Sequence, residues 1–136
     1  HTPGSVVVLD ERSNRLFTGD AIGSGYGVWM QTPTAVPLET YYESLVHLLK
    51  WLVDRGGRMS FHGGHRYQMF QSTHVPSFNP PSLGLLCDLI DLVDQIVHGK
   101  IVGRISNVDN IMELEPVLYA AYGRAEIQYK ASNIKI

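Results

Sequence analysis

Apolar residues recur along this chain with two different spacings, and the longer spacing predicts helices. Two long stretches place apolar residues three and four positions apart, which is the spacing of one helix face. The first covers 38–54, preceded by Pro37 and followed by Gly56-Gly57, and the second covers roughly 81–98. Pro suits a first turn and Gly suits a helix end, so both stretches are predicted to be α-helices. The apolar stripe of the first helix consists of Tyr41, Leu45, Leu48, Leu49, Leu52 and Val53.

Short apolar runs between turn-forming residues predict strands. The first two runs are continuous rather than alternating, which predicts strands covered on both faces. The link between them is polar and rich in turn formers, so they are expected to form a hairpin. The order strand, helix, strand, helix predicts an α/β fold: a mixed sheet with two main helices on one face. The runs lie at 5–9, 16–18, 58–61, 117–122 and 125–129, the last two forming a terminal hairpin.

Composition narrows the class of protein. The 136 residues, 44% of them hydrophobic, suffice for a single unit over 1–136 with a core of its own. The net charge is −2 and no basic run occurs, so no nucleic-acid partner is expected. No apolar stretch has the length of a membrane span, so no membrane association is expected. The lone Cys87 stands in an apolar helical stretch, which predicts a buried, unreactive thiol and favours a reducing, cytoplasmic setting.

Three side chains that can bind a metal ion stand beside predicted strand ends. His1 precedes the first strand, Asp20 follows the second, and His65 follows the third. A hairpin places His1 and Asp20 at the same end of the sheet. A carboxylate beside a buried strand requires a partner, because charged groups are rarely buried alone. Imidazole and carboxylate groups at the ends of neighbouring strands are a common way to assemble a metal site.

The motifs around these residues carry a resemblance to a known family. His-Thr-Pro-Gly-Ser at 1–5, a hairpin, Thr-Gly-Asp at 18–20 and a strand that leads to Gly-Gly-His at 63–65 follow one another in this order. This order resembles the C-terminal half of a metallo-β-lactamase-fold hydrolase, and the likeness extends from His1 to about Gly99. The resemblance implies half of a four-layer αββα sandwich. It further implies that His1, Asp20 and His65 are metal ligands, with Asp20 as the catalytic carboxylate that bridges two ions.

The resemblance also implies a reaction and a partner. The family binds two metal ions, which are expected to be zinc, with iron or manganese as alternatives. Zinc lowers the pKa of a bound water from about 15.7 to about 7, which supplies hydroxide to attack an ester, amide or phosphoester bond of a small-molecule substrate. The family's His-x-His-x-Asp-His motif, which supplies most of the other ligands, does not occur in this chain. The chain is therefore expected to be incomplete as an enzyme and to need the N-terminal half of the domain.

Two other functions stay open on the sequence. The chain is alternatively a non-catalytic fragment or interaction domain that associates through an exposed sheet, and homo-oligomers are expected on that ground. A binding domain without metal is the other alternative, although it leaves Asp20 without a partner.

The roles of three further residues are also open. His62 competes with His65 for the third ligand position, and the preceding Gly64 favours His65. His62 is then either a residue that orients a ligand by hydrogen bonding or a simple strand-end residue. Tyr26 and Trp29 stand in a Gly-rich loop, where they either wall a substrate pocket or cap the hydrophobic core.

Overall fold

The protein is an α/β structure with two principal helices and mixed sheets, as the sequence predicts. The computed structural model describes residues 1–23, 27–65, 80–106 and 115–135. The elements within these residues are β1 (Val8–Asp10), β2 (Arg15–Gly19), β3 (Val28–Trp29), α1 (Leu38–Asp54), β4 (Ser60–Gly63), α2 (Leu83–Val97), β5 (Arg104–Ile105), β6 (Leu118–Tyr122) and β7 (Ala125–Tyr129). A short 3-10 helix, Ala131–Asn133, follows β7.

The strands form two sheets rather than the single mixed sheet that the sequence predicts. The first has the order β1-β2-β4, with β1 antiparallel and β4 parallel to the central strand β2. The second has the order β3-β7-β6-β5, with β3 parallel to β7 and the other pairs antiparallel. β3 and β5 have only two residues each, which is too short for an alternation of apolar and polar residues to predict them.

α1 has the predicted bounds, and α2 begins two residues later and ends one residue earlier than the predicted 81–98. Gly56 and Gly57 follow α1 with φ values of +83° and +64°, which side chains with a Cβ rarely adopt. The hydroxyl of Ser82 accepts a hydrogen bond from the backbone N–H of Leu85 at 3.1 Å, which caps α2. α1 contacts α2, and α2 lies against β6 and β7. None of the helices in the described residues is long and apolar enough to cross a membrane.

Within the described residues, one hydrophobic cluster contains residues from both sheets and both helices. Leu16 of β2, Leu52 of α1, Leu92 of α2 and Ile127 of β7 are at most 1% exposed. Burying a Leu or Ile side chain of this kind contributes roughly 1.5–3 kcal/mol. Cys87 is only partly buried, which corrects the predicted buried thiol, because it lies beside rather than within the buried set of α2.

Only one face of the first sheet packs against the protein interior. The prediction that its strands are covered on both faces is therefore wrong for this chain. Leu16 and Thr18 point into the interior and are each 1% exposed. Val8 and Phe17 point the other way and are 56% and 43% exposed. The alternation follows from strand geometry, which sends successive side chains to opposite faces even when all of them are apolar.

β4 lies two residues later than the predicted strand at 58–61. Its pairing with β2 decides this, since Leu16 is opposite Phe61 and Phe17 is opposite His62. His62 therefore lies within the strand and not after its end.

Candidate functional site

Asp20 and His65 meet at the ends of two neighbouring parallel strands. Asp20 directly follows β2 and His65 lies two residues after β4. The Nε2 atom of His65 is 3.4 Å from Oδ2 of Asp20, and the two side chains are 49% and 41% exposed. Because β2 and β4 run parallel, their carboxyl ends lie at the same edge of the sheet. The structure thus brings together two of the three predicted ligands, on a surface that a further ligand or a substrate can reach.

Two glycines allow these strand ends to approach closely. The N–H of Gly64 donates to the carbonyl oxygen of Gly19 at 3.3 Å. A Cβ atom on Gly64 would lie 3.3 Å from Cα of Gly19, which is a tight contact. Gly19 has a φ of +53°, in the left-handed region where glycine is favoured. The glycines before Asp20 and His65 therefore set the separation of the two side chains.

The turn that carries Asp20 is closed by Thr18. The N–H of Ala21 donates to the carbonyl oxygen of Thr18 at 3.0 Å. The Thr18 hydroxyl donates to the carbonyl oxygens of His62 at 3.2 Å and Gly19 at 3.4 Å. Thr18 is 1% exposed, so these bonds satisfy a hydroxyl that would otherwise be buried without a partner. Thr18 thus ties the Asp20 turn to β4, the strand that leads to His65.

A second hydroxyl reaches the same turn from α1. The Tyr41 hydroxyl donates to the carbonyl oxygen of Ala21 at 2.5 Å, and Tyr41 is 3% exposed. Burial raises the pKa of Tyr41 above its ordinary value, so the phenol stays protonated and keeps its role as donor. The sequence shows Tyr41 only as part of the apolar stripe of the first helix. No sequence signal links its hydroxyl to the residue after Asp20.

His1 does not join Asp20 and His65 in a three-residue group. Its carbonyl oxygen accepts a hydrogen bond from the N–H of Val36 at 3.2 Å, which places it beside the segment that leads into α1. β1 begins only at Val8, and residues 2–5 form a turn of their own, so the first strand does not carry His1 to its edge. In 1–23, 27–65, 80–106 and 115–135, no three His, Cys, Asp or Glu side chains form a group that could hold a metal ion.

His62 has contacts on the exposed face of the first sheet. Its Nε2 atom is 3.2 Å from the Ser60 hydroxyl, and its ring centroid is 5.3 Å from that of Phe17. Its link to the Asp20 turn runs through its backbone carbonyl, which accepts the Thr18 hydrogen bond. The described contacts of the His62 ring thus differ from those of a residue that orients a ligand through its ring nitrogen.

Of the two aromatic residues predicted to wall a pocket or cap the core, the structure describes one. Trp29 lies in β3, within the second sheet, where it pairs with Gln128 and is 43% exposed. Trp29 is therefore in a strand rather than in the predicted loop, and this strand belongs to a different sheet from β2 and β4, which precede Asp20 and His65. Tyr26 lies outside the described residues.

Asp20 and His65 carry the kinds of donor atom that a transition metal binds. Two ligands are, however, fewer than a catalytic metal site commonly has. A carboxylate and an imidazole are both ligands of zinc, iron and manganese. A catalytic zinc ion commonly has three protein ligands and an open position. Comparison of the chain with protein-family models, curated proteins and solved structures gives no match, so membership of the metallo-β-lactamase-fold family stays a resemblance carried by the motifs.

Proposed function

We propose that this chain is the C-terminal part of a zinc-dependent hydrolase, with Asp20 and His65 among its metal ligands. The observation that supports this most is the 3.4 Å separation of His65 Nε2 and Asp20 Oδ2 at the carboxyl ends of two parallel strands. The two residues also occur in the motif order that resembles metallo-β-lactamase-fold hydrolases. His1 is proposed as a further ligand from its sequence motif alone.

The proposal includes the four-layer sandwich and a missing partner half. The first sheet has its inner face in the core, while Val8 and Phe17 on its outer face are 56% and 43% exposed. In a four-layer arrangement, a second sheet from the N-terminal half covers this outer face. That half also supplies the donors that Asp20 and His65 lack.

Each described residue of the site then has a defined task. Asp20 offers two carboxylate oxygens and His65 a neutral ring nitrogen, while Thr18 and the two glycines hold these groups at one edge. When bound, zinc supplies a Lewis acid that makes hydroxide available at neutral pH, with iron or manganese as alternatives. The substrate is a small molecule with an ester, amide or phosphoester bond, and the exposure of Asp20 and His65 leaves room for it.

Zinc binding by single variants tests this proposal. In a chain that includes the proposed N-terminal half, D20N is expected to weaken zinc binding at least tenfold in equilibrium dialysis with elemental analysis. D94N is the matched control, because Asp94 and His98 form another carboxylate–imidazole pair, with 3.2 Å between His98 Nδ1 and Asp94 Oδ1, on the surface of α2. Equal zinc binding by both variants would refute the assignment of Asp20.

Activity provides the second test. In a chain that includes the proposed N-terminal half, D20A is expected to lose bound metal and hydrolysis together. Full hydrolysis by that variant would contradict the catalytic role of Asp20.

A second candidate function, an interaction domain that associates through its sheet, is supported by the same outer face. Val6, two residues before Val8, is also an exposed apolar residue, at 73%. If the chain is an interaction domain, it is expected to associate through this surface, and the association is expected not to require zinc.

A further inference from the structure

We infer that Tyr41 is a positioning residue for Asp20: its hydroxyl holds the Ala21 carbonyl and thereby directs the Asp20 carboxylate toward His65. This inference deepens the proposed metal site, and its functional meaning rests on that proposal. The geometric part stands by itself, because it concerns how one side chain fixes the direction of another.

The turn at Asp20 depends on its backbone tethers. The Asp20 side chain is 41% exposed, so packing alone does not fix its direction. Before Asp20, Gly19 is held by the N–H of Gly64. After Asp20, Ala21 is held on its N–H side by the carbonyl of Thr18 and on its carbonyl side by Tyr41. Tyr41 is therefore the tether that comes from outside the first sheet and ties the turn to α1.

The hydroxyl of Tyr41 has a task that its ring does not explain. The ring is part of the hydrophobic core, where a phenyl group would fill the same space. The hydroxyl instead makes a 2.5 Å hydrogen bond to Ala21 in a site where Tyr41 is 3% exposed. Y41F keeps the ring and removes this donor, which leaves the Ala21 carbonyl without the bond that orients it.

A metal-free measurement tests the positioning directly. In the wild-type chain, D20N is expected to change the ring ¹⁵N chemical shifts of His65, since the two groups are 3.4 Å apart. The same D20N change, measured at one pH in the Y41F background, is expected to be at most half as large. Y42F is the matched control: it removes the same atom from the next residue of α1, and the effect of D20N should stay at its wild-type size.

Several outcomes would overturn the inference. It fails if D20N moves the His65 shifts equally in the wild-type and Y41F backgrounds, or if D20N moves them in neither. It also fails if Y42F reduces the effect as much as Y41F does. Should Y41F not fold, 4-aminophenylalanine at position 41 keeps a donor at the same place, and the wild-type effect of D20N must return there.

Zinc binding separates this inference from the proposed function. If the proposed function holds, Y41F weakens zinc binding at least fivefold in equilibrium dialysis, and Y42F leaves it unchanged. If the wild-type chain with its partner half binds no zinc, the proposed function fails, while the His65 shifts still decide whether Tyr41 positions Asp20. If zinc binds and Y41F binds it as well as the wild type does, Tyr41 has no positioning role for the metal site.

Discussion

The backbone N–H of Gly64 donates to the carbonyl oxygen of Gly19 at 3.3 Å, and this bond joins the two strand ends that carry Asp20 and His65. Neither glycine has a side chain that would separate the strands. A Cβ atom on Gly64 would also lie 3.8 Å from Oδ1 of Asp20. The spacing of the proposed ligands therefore depends on a residue without a Cβ atom at position 64, chiefly because of its close approach to Gly19.

G64A is expected to push the two strand ends apart. Its Cβ would meet Cα of Gly19 at 3.3 Å, so one backbone must give way. We expect a loss of about 1 kcal/mol in the free energy of unfolding and weaker zinc binding, because overpacking typically costs about 1–3 kcal/mol. Urea unfolding measures the first effect, and equilibrium dialysis of a chain that includes the proposed N-terminal half measures the second. G4A is the control, since a Cβ there meets nothing within 4 Å. Wild-type zinc binding by G64A would contradict this account.

Leu52 and Val53 are neighbours in α1 with opposite surroundings. Leu52 is 0% exposed and Val53 is 58% exposed, although both belong to the apolar stripe in the sequence. L52A is expected to lower the free energy of unfolding by about 2–5 kcal/mol, because it leaves a cavity in the core. V53A is expected to change it by at most about 0.5 kcal/mol. Chemical denaturation of both variants measures these losses. Equal losses for L52A and V53A would show instead that the stripe is buried uniformly.

Ser82 caps α2 through its hydroxyl. S82A is expected to cost about 1 kcal/mol of stability, since it removes the acceptor for the N–H of Leu85. Ser44 offers the contrasting case, because its hydroxyl donates to the Thr40 carbonyl within α1 and caps nothing. S44A should leave stability unchanged or raise it slightly, as Ala is the better helix former. Thermal unfolding of the two variants compares them, and equal losses would argue against the cap.

Tyr119 of β6 provides a test by pH. The pKa of Tyr119 is raised to about 12, chiefly by burial and further by the charge and a hydrogen bond of Glu126, while Arg104 lowers it. The raised pKa means that the neutral phenol favours the folded state. Its contribution to stability is complete below about pH 10, the ordinary pKa of Tyr, and is lost as the pH rises through about 12.

Two variants should move this pKa in opposite directions. E126Q removes a negative charge and is expected to lower the pKa of Tyr119. R104Q removes the guanidinium that lies 5.0 Å from the centre of the Tyr119 ring and is expected to raise it. Phenolate absorbance, with Y119F to identify the signal, measures both changes. A shift in the same direction for both variants would show that their charges do not act on Tyr119.

Those parts of the fold that local chemistry decides could be predicted from the sequence. Pro37, Ser82 and the glycines after α1 mark the helix ends through their own backbone and side-chain properties. The terminal hairpin is predicted for the same reason, since Gly123 adopts a φ of +56° in its turn. The ends of β4, by contrast, depend on its register with β2, and the two-residue strands β3 and β5 exist only because β7 and β6 offer them partners.

The candidate site shows the same division. The order of the motifs predicts that Asp20 and His65 lie together at one edge of the sheet, and their side chains are 3.4 Å apart. The same reasoning places His1 beside them, which the structure does not show, because β1 begins only at Val8. The role of Tyr41 could not be predicted, because the hydrogen-bond partner of its hydroxyl is a backbone carbonyl 20 positions away. In the sequence, its ring is simply one member of an apolar stripe. The contact of Asp88 with Arg124, 36 positions apart, is equally invisible in the sequence.

The outer face of the first sheet is expected to drive association of the 136-residue chain. Val8 and Phe17 face each other across β1 and β2, with His62 beside Phe17 on β4. Phe17 is 43% exposed and Val8 is 56% exposed, so an exposed apolar pair spans β1 and β2, with the His62 ring beside it on β4. Covering one Phe or Val side chain contributes roughly 1.5–3 kcal/mol, or about one to two powers of ten in an association constant.

F17T is therefore expected to weaken self-association at least tenfold, as measured by light scattering over a range of concentrations. Thr keeps a good strand former at this position, so the hairpin should persist. V102T is the control, because Val102 is 84% exposed but lies next to β5 of the second sheet. Equal association of F17T and the wild type would show that the chains pair through strand edges, whose backbone groups F17T leaves unchanged. Association that disappears when zinc is removed would instead assign it to metal bridging between chains.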